Sequence, residues 1–351
     1  MKMRTSARHA HLAHPAKKLY FSPPLMFEPM RLLLNFCLCL GFVFALHAQQ
    51  VAHYSTYMLD PFRYNPAYAG LDNGLSMTGV FRQQWQGLDG APSGQRLGLH
   101  LPLYFLQGGL GFQLENEKIG AHRFFMLQGA YNYQLEVGGG ILSAGAGLAY
   151  QQWSLDGNVL RTPEGAYFGQ TPPSHNDVLL NFRNESGNAI NFSAGLFYQS
   201  EYFEAGLSVE NVTEDAIALT QVSITQLRTY HAYLASQHEL GPTILLEPSI
   251  WFRSDAIENQ LDISLRITYN DNIFAGASFR GYTEATTDAV IALLGFKLSP
   301  AITLAYAYDI ALSPLQSVHN GSHEVVVKYF LDKSIGQGKW PPIIYHPRAK
   351  R

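Results

Sequence analysis

The sequence predicts an all-β protein: a transmembrane antiparallel β-barrel of about 14 strands, with short periplasmic turns and longer outer loops. Three observations carry that expectation. Apolar and polar residues alternate with period 2 along most of the chain beyond residue 75. No apolar run after residue 48 is long enough to be a membrane helix. The links between alternating segments are short and long by turns.

The elements follow in chain order. Residues 1–48 read as a leader that is removed. Met30-Arg31 opens the apolar run LLLNFCLCLGFVFAL, which ends in Leu46-His47-Ala48: one positive charge, an apolar middle and a small residue at the cut. Residues 1–29 read as an upstream mis-start or a long n-region. Both cysteines, Cys37 and Cys39, lie inside this segment, so the mature chain carries no thiol or disulfide chemistry. Removing its six Lys/Arg and its single Glu leaves 18 basic against 26 acidic residues, a formal charge of −8. Such a balance argues against a nucleic-acid partner, which needs concentrated positive charge.

Residues 49–74 read as an N-terminal arm, periplasmic or lying in the lumen, that contains the elbow NPAYAG. Strands are expected near 75–86, 93–101, 108–115, 123–136, 140–153, 189–199, 201–210, 228–238, 243–253, 259–269, 272–280, 288–298, 301–309 and 322–331. In residues 259–269, for example, Leu261, Ile263, Leu265, Ile267 and Tyr269 share one face, and Gln260, Asp262, Ser264, Arg266 and Thr268 the other. An even count closes the sheet with both chain ends on one side. Links after even-numbered strands are brief, and those after odd-numbered strands tend to be longer, reaching 154–188 and 211–227. A soluble sandwich gives no reason for loop length to follow strand parity.

Lipid cannot hydrogen-bond a peptide group, so a sheet in a bilayer must close and leave no edge. The apolar faces are then expected toward lipid and the Gln, Asn, Asp, Glu and Arg faces toward the interior. Aromatic residues at strand ends, among them Tyr131, Tyr133, Tyr150, Tyr198, Tyr202, Phe203 and Tyr269, suit interfacial belts. The segment 154–188 is a candidate hairpin extension, and residues 332–351 form a C-terminal tail.

No enzyme, cofactor or metal site emerges. Ser322-His323-Glu324 holds the side chains of a hydrolase triad, but consecutive strand residues point to alternate faces. The histidines show no metal-ligand spacing. Asp262 and Arg266 read as a lumen charge pair. The glycines of GLGF (109–112) and GAGLAY (145–150) lead into no helix and read as strand glycines for curvature or close packing.

Several further motifs stand in a fixed order: Asn65-Pro66-Ala67-Tyr68-Ala69-Gly70, Arg82-Gln83-Gln84-Trp85-Gln86-Gly87 with Gly90-Ala91-Pro92, GLGF with Glu117-Lys118-Ile119-Gly120, and Tyr202-Phe203 with Ser208 and Asn211. Pro248-Ser249, Gly276-Ala277-Ser278-Phe279-Arg280, Tyr306-Ala307-Tyr308-Asp309 and Gly321-Ser322-His323-Glu324 follow. In that order and spacing the chain resembles the PorP/SprF family of outer-membrane proteins from the type IX secretion and gliding motility system of Bacteroidetes-type bacteria. Residues 154–188 fit the family pattern loosely, and the tail runs past the last aromatic of the final strand.

The resemblance implies a non-enzymatic barrel in the outer membrane of a Gram-negative bacterium that helps export or anchor a cargo protein at the cell surface. Implied partners are outer-membrane lipid, secreted cargo with a type IX sorting domain and periplasmic ring components. An outer-membrane diffusion pore is the alternative. Family-motif residues with a possible docking role are Asn65, Pro66, Tyr68, Gly70, Arg82, Trp85, Tyr308, Asp309, His323 and Glu324. The elbow is expected to be a rigid turn, because Pro66 pushes Asn65 out of the helical region and Gly70 can take φ > 0. Tyr68 would anchor it at the lumen wall or interface. Arg82 and Gln84 are placed on one face without Val80, with Arg82 in lumen hydrogen bonds and Trp85 in an interfacial seat. Tyr308-Asp309 and His323-Glu324 face each other across an outer loop that they could pin.

Overall fold

The computed structural model describes residues 53–168, 174–177, 182–220, 223–282 and 287–332. The leader, both cysteines and most of the C-terminal tail lie outside these residues. The barrel strands are β1 Leu75–Gln83, β2 Ser93–Leu103, β3 Gly108–Ile119, β4 His122–Val137, β5 Gly140–Asp156, β6 Asn184–Gln199 and β7 Phe203–Glu210. Next come β8 Thr229–Ser236, continued after a break by His238–Leu240, and β9 Ile244–Ser254. The last five are β10 Asn259–Tyr269, β11 Ile273–Arg280, β12 Ala289–Ser299, β13 Ile302–Ala311 and β14 Ser322–Leu331.

Each strand pairs antiparallel with its neighbours, β14 pairs with β1, and β8 pairs with β9, so the sheet closes at fourteen strands. Closure satisfies the backbone of every strand without an edge toward lipid. Period 2 then sorts the side chains. Phe112, Leu127, Leu148, Phe192, Leu207, Ile263 and Leu294 stand exposed on the outer wall. Gln113, Gln128, Asn132, Asn191, Asp262 and Glu324 are buried inside. A soluble protein would show the reverse; here the outer wall faces hydrocarbon.

The strand bounds differ from expectation in few places. β3 runs on to Ile119, so its link to β4 is only residues 120–121, not a long loop. β5 and β6 extend to Asp156 and back to Asn184, which pair across the expected hairpin extension. Val80 and Arg82 point inward together, as residues two apart in a strand must.

In the extension the alternation inverts. The outward face of β5 is apolar through Tyr150 and then reads Gln152, Ser154, Asp156; that of β6 is apolar back to Ile190 and then reads Asn188, Ser186, Asn184. On the inward face Phe124, Met126, Ala149, Trp153 and Ala189 form an apolar cluster with Ile217 and Ile224. Those two isoleucines come from a small hairpin, Ala216–Ala218 with Ser223–Thr225, in the β7–β8 loop. The strands have left the hydrocarbon at this point, and the polar medium has changed sides.

Candidate functional site

The arm of residues 53–74 lies inside the barrel. It is built of three single turns of 3-10 helix, Tyr57–Leu59, Pro61–Arg63 and Pro66–Tyr68, and residues 60–71 are buried without a break. Short turns suit this path: two begin with Pro, whose fixed φ ends each extended stretch. The chain climbs down the lumen, from Ser55 beside Glu324 near the outer end of β14 to Asp72 beside Lys328 near its periplasmic end.

The outer contact is a cluster of charges. Arg82 donates to Asp309 at 2.7 Å and to Glu324 at 2.9 Å, and Arg280 to Asp262 at 3.0 Å. Two guanidinium groups therefore face three carboxylates, all buried. The arm supplies further donors: the Ser55 and Thr56 backbone N–H groups donate to Glu324 at 2.8 and 3.0 Å, and the Ser55 hydroxyl donates to Asp309 at 2.7 Å. The Thr56 hydroxyl also bonds Glu324. Next to this cluster Arg253 donates to His53 at 2.9 Å. Burial and the nearby arginines, Arg253 first, hold His53 well below its ordinary pKa, so it stays a neutral acceptor.

Four further ion pairs hold the rest of the arm. Asp60 pairs with Arg96 of β2. Arg63 bridges Glu115 of β3 at 2.8 Å and Glu210 of β7 at 2.9 Å. Asp72 takes the Lys328 ammonium at 3.0 Å; burial by itself would raise this carboxyl, but Lys328 and His100 hold it well below the usual carboxylate range. Burying these charges is tolerable only because each is matched.

The elbow is packed as tightly. Asn65 is extended (φ −137°, ψ 110°) and its side chain accepts from the Ala67 N–H while donating to the Leu196 and Leu207 carbonyls. Asn132 and Ser143 donate to the Ala67 carbonyl, each at 2.6 Å. Gly70 takes φ +75° and donates its N–H to His100. Tyr68 bonds Asp72 and packs edge-on against Phe197. The inward glycines of the wall make room. A Cβ at Gly109 would strike the Ala69 carbonyl, one at Gly195 the Asn65 side chain, and one at Gly145 would come within 2.6 Å of Ala67. Close packing, not curvature, is what these strand glycines provide.

Of the ten motif residues, Asn65, Pro66, Tyr68, Gly70, Arg82, Asp309 and Glu324 converge on this lumen assembly. Three do not. Tyr308 and His323 point to the outer wall, where the Tyr308 hydroxyl donates to the Asn320 carbonyl and pins the β13–β14 loop. Trp85 sits half-buried just past β1 at φ +45°, its ring 6.3 Å from that of His319. Asp309 and Glu324 meet Arg82 rather than a loop. The expected Asp262–Arg266 pair is absent: Asp262 pairs with Arg280, and Arg266 with Glu247. Four residues along a strand is about 13 Å, whereas Asp262 and Arg280 are directly opposed. Ser55, Asp60, Arg63, Arg96 and Glu115 were not singled out from sequence, although each wall member lies at an inward period-2 position.

Beside the arm a cavity of about 540 Å³, lined by Met58, Tyr68, Asp72, Glu204, Arg266 and Lys328 among others, reaches the turns at the periplasmic end. No group of three or more metal-ligating side chains occurs among the described residues.

A closed fourteen-stranded barrel, apolar outside, with a polar lumen stopped by its own N-terminal arm, is a plugged outer-membrane barrel. Within that class the chain belongs to the family of type IX secretion system membrane proteins PorP/SprF, whose model matches residues 46–329. It is thus an outer-membrane component of that secretion system. No curated protein matches the chain. Among solved structures, similar folds include the monoaromatic hydrocarbon channel CymD (13% identity, 80% of this chain and 93% of that one, TM-score 0.45). Omp33 of Acinetobacter baumannii (9%, 74% and 98%, 0.41) and a FadL homologue of Pseudomonas aeruginosa (11%, 73% and 89%, 0.40) are others.

Proposed function

We propose that the protein is a non-enzymatic scaffold that helps export or anchor a cargo protein at the cell surface, working with secreted cargo that carries a type IX sorting domain and with periplasmic ring components. The observation that carries this reading is the arm. Four separate sets of contacts, made by Ser55/Thr56, Asp60, Arg63 and Asp72, fix it in the lumen. A lumen filled in this way favours a rigid platform over a diffusion pore and leaves the two ends of the barrel to meet partners.

In this reading the motif residues act mainly from within. Asn65, Pro66, Tyr68 and Gly70 seat the arm, Arg82, Asp309 and Glu324 clamp it, and Trp85, Tyr308 and His323 shape the outer rim. Contact with cargo falls to the loops at residues 157–183 and 211–228, and contact with periplasmic components to the open cavity beside the arm.

The test is a mild-detergent pull-down of the tagged protein from outer membranes of its own cell, with companions identified by mass spectrometry. Stoichiometric recovery of a large secreted protein with a type IX sorting domain, or of ring subunits, is expected. A companion-free barrel that conducts ions in planar bilayers would replace the scaffold with the pore.

A further inference from the structure

We propose that Lys118 and Arg123 form a site on the outer wall for the phosphate of an outer-leaflet glycolipid. The two residues are directly opposed across the β3–β4 ladder, and both side chains are exposed on the outward face. Opposed residues in such a ladder hold their Cβ atoms about 5 Å apart, and like charges placed so repel each other. Neither cation makes an ion pair among the described residues. Their acidic neighbours Glu115 and Glu117 are buried on the lumen side, Glu115 on Arg63. The carboxylate nearest in register on the outward face is Asp156, diagonal to Arg123, which accepts from Asn158.

The surroundings specify the ligand. The same cross-strand row continues to Ser93 on one side and Ser154 on the other, so four adjacent strands present hydroxyl, ammonium, guanidinium and hydroxyl. Two rows below lie Leu97, Leu114, Leu127 and Tyr150, all exposed on the wall that faces hydrocarbon. The row between holds Gln95, Asn116, Phe125 and Gln152, so the donors sit just beyond the apolar belt, at headgroup depth, and at the end that carries the long links. A phosphate with three acceptor oxygens fits a guanidinium beside an ammonium. The apolar surface underneath assigns that phosphate to a lipid with acyl chains rather than to a free anion.

The test compares the intact protein with the K118Q/R123Q variant in nanodiscs of phosphatidylcholine, with and without diphosphoryl lipid A, by native mass spectrometry and thermal unfolding. The native protein should retain lipid A and unfold at a higher temperature with it; the double variant should bind at least about tenfold more weakly, as loss of charge-assisted bonds implies. In phosphatidylcholine alone the variant should be no less stable, because a repulsion has been removed; this outcome also shows that it folds. Arg228→Gln, at a residue already paired with Glu214, should retain lipid A fully. Equal binding by both proteins overturns the proposal, as does equal protection by inorganic phosphate, which would mark a site for free anions. If the double variant fails to fold, Lys118→Gln and Arg123→Gln singly must each weaken binding, and failure of both to do so overturns it equally.

Discussion

The lower barrel and the outer extension of β4, β5 and β6 are continuous strands with the same period and opposite polarity. In the belt, Leu127 and Leu148 face out while Gln128 and Asn132 face in; above it, Ser154 and Asn188 face out while Trp153 and Ala189 face in. The backbone does not change, so the inversion reports the medium. Where lipid surrounds the sheet, the lumen must take the polar groups; where water does, the interior can be an ordinary apolar core closed by Ile217 and Ile224. The lower interior is accordingly held by ion pairs together with the packing of the arm's rings, and the upper one by apolar burial.

The sharpest way to test that contrast is Arg82→Ala. It strands Asp309 and Glu324 in the lumen, and removal of one partner from a buried network costs about 3–5 kcal/mol. A large drop in the barrel's unfolding midpoint, read by heat-modifiable gel mobility, is expected, with the arm newly open to protease. A smaller separation comes from placing one charge on each outward face. Leu127→Arg enters the belt and should cost about 2–4 kcal/mol if near the midplane, while Asn188→Arg should stay within about 0.5 kcal/mol as a surface change. Similar losses at both sites would erase the boundary drawn at Tyr150 and Ile190. Ile217→Ala should cost about 2 kcal/mol or more, as truncation of a buried isoleucine does, but only locally. Proteolysis within residues 211–228 should accelerate while the barrel's midpoint holds.

The smallest effect is with pH. His53 in the lumen has a lowered pKa, so the seated arm binds fewer protons than an arm released to water, where the imidazole titrates near about 6.5. Its contribution is present above that value and declines as pH falls below it. Asp72, also depressed, loses its contribution lower, as pH falls below about 4. Protease access to the arm should thus rise in two steps on acidification, and His53→Gln should shrink the first and leave the second.

Much of this was legible in the sequence. All fourteen strands announce themselves because one face of each meets lipid and the other does not, and Asn65, Pro66 and Gly70 specify their own turn. The arm's seat was not legible to the same degree. Ser55 finds Glu324 across 269 residues, and nothing local marks a serine as the donor that completes a distant cluster. Asp262 and Arg266 look paired along the chain, but strand geometry keeps them apart, and the register that brings Arg280 to Asp262 is set by the β10–β11 turn. The inverted extension was present as a loosely patterned segment at 154–188, because a pattern that changes sign midway weakens any single alternation.

The most direct test of the account is single-channel recording of the protein and of a variant lacking residues 53–66 in planar bilayers. A silent native protein and a steadily conducting variant are predicted, since the arm alone would then stop the lumen. Steady conductance by the native protein, with its arm still protected from protease, would contradict the plugged scaffold.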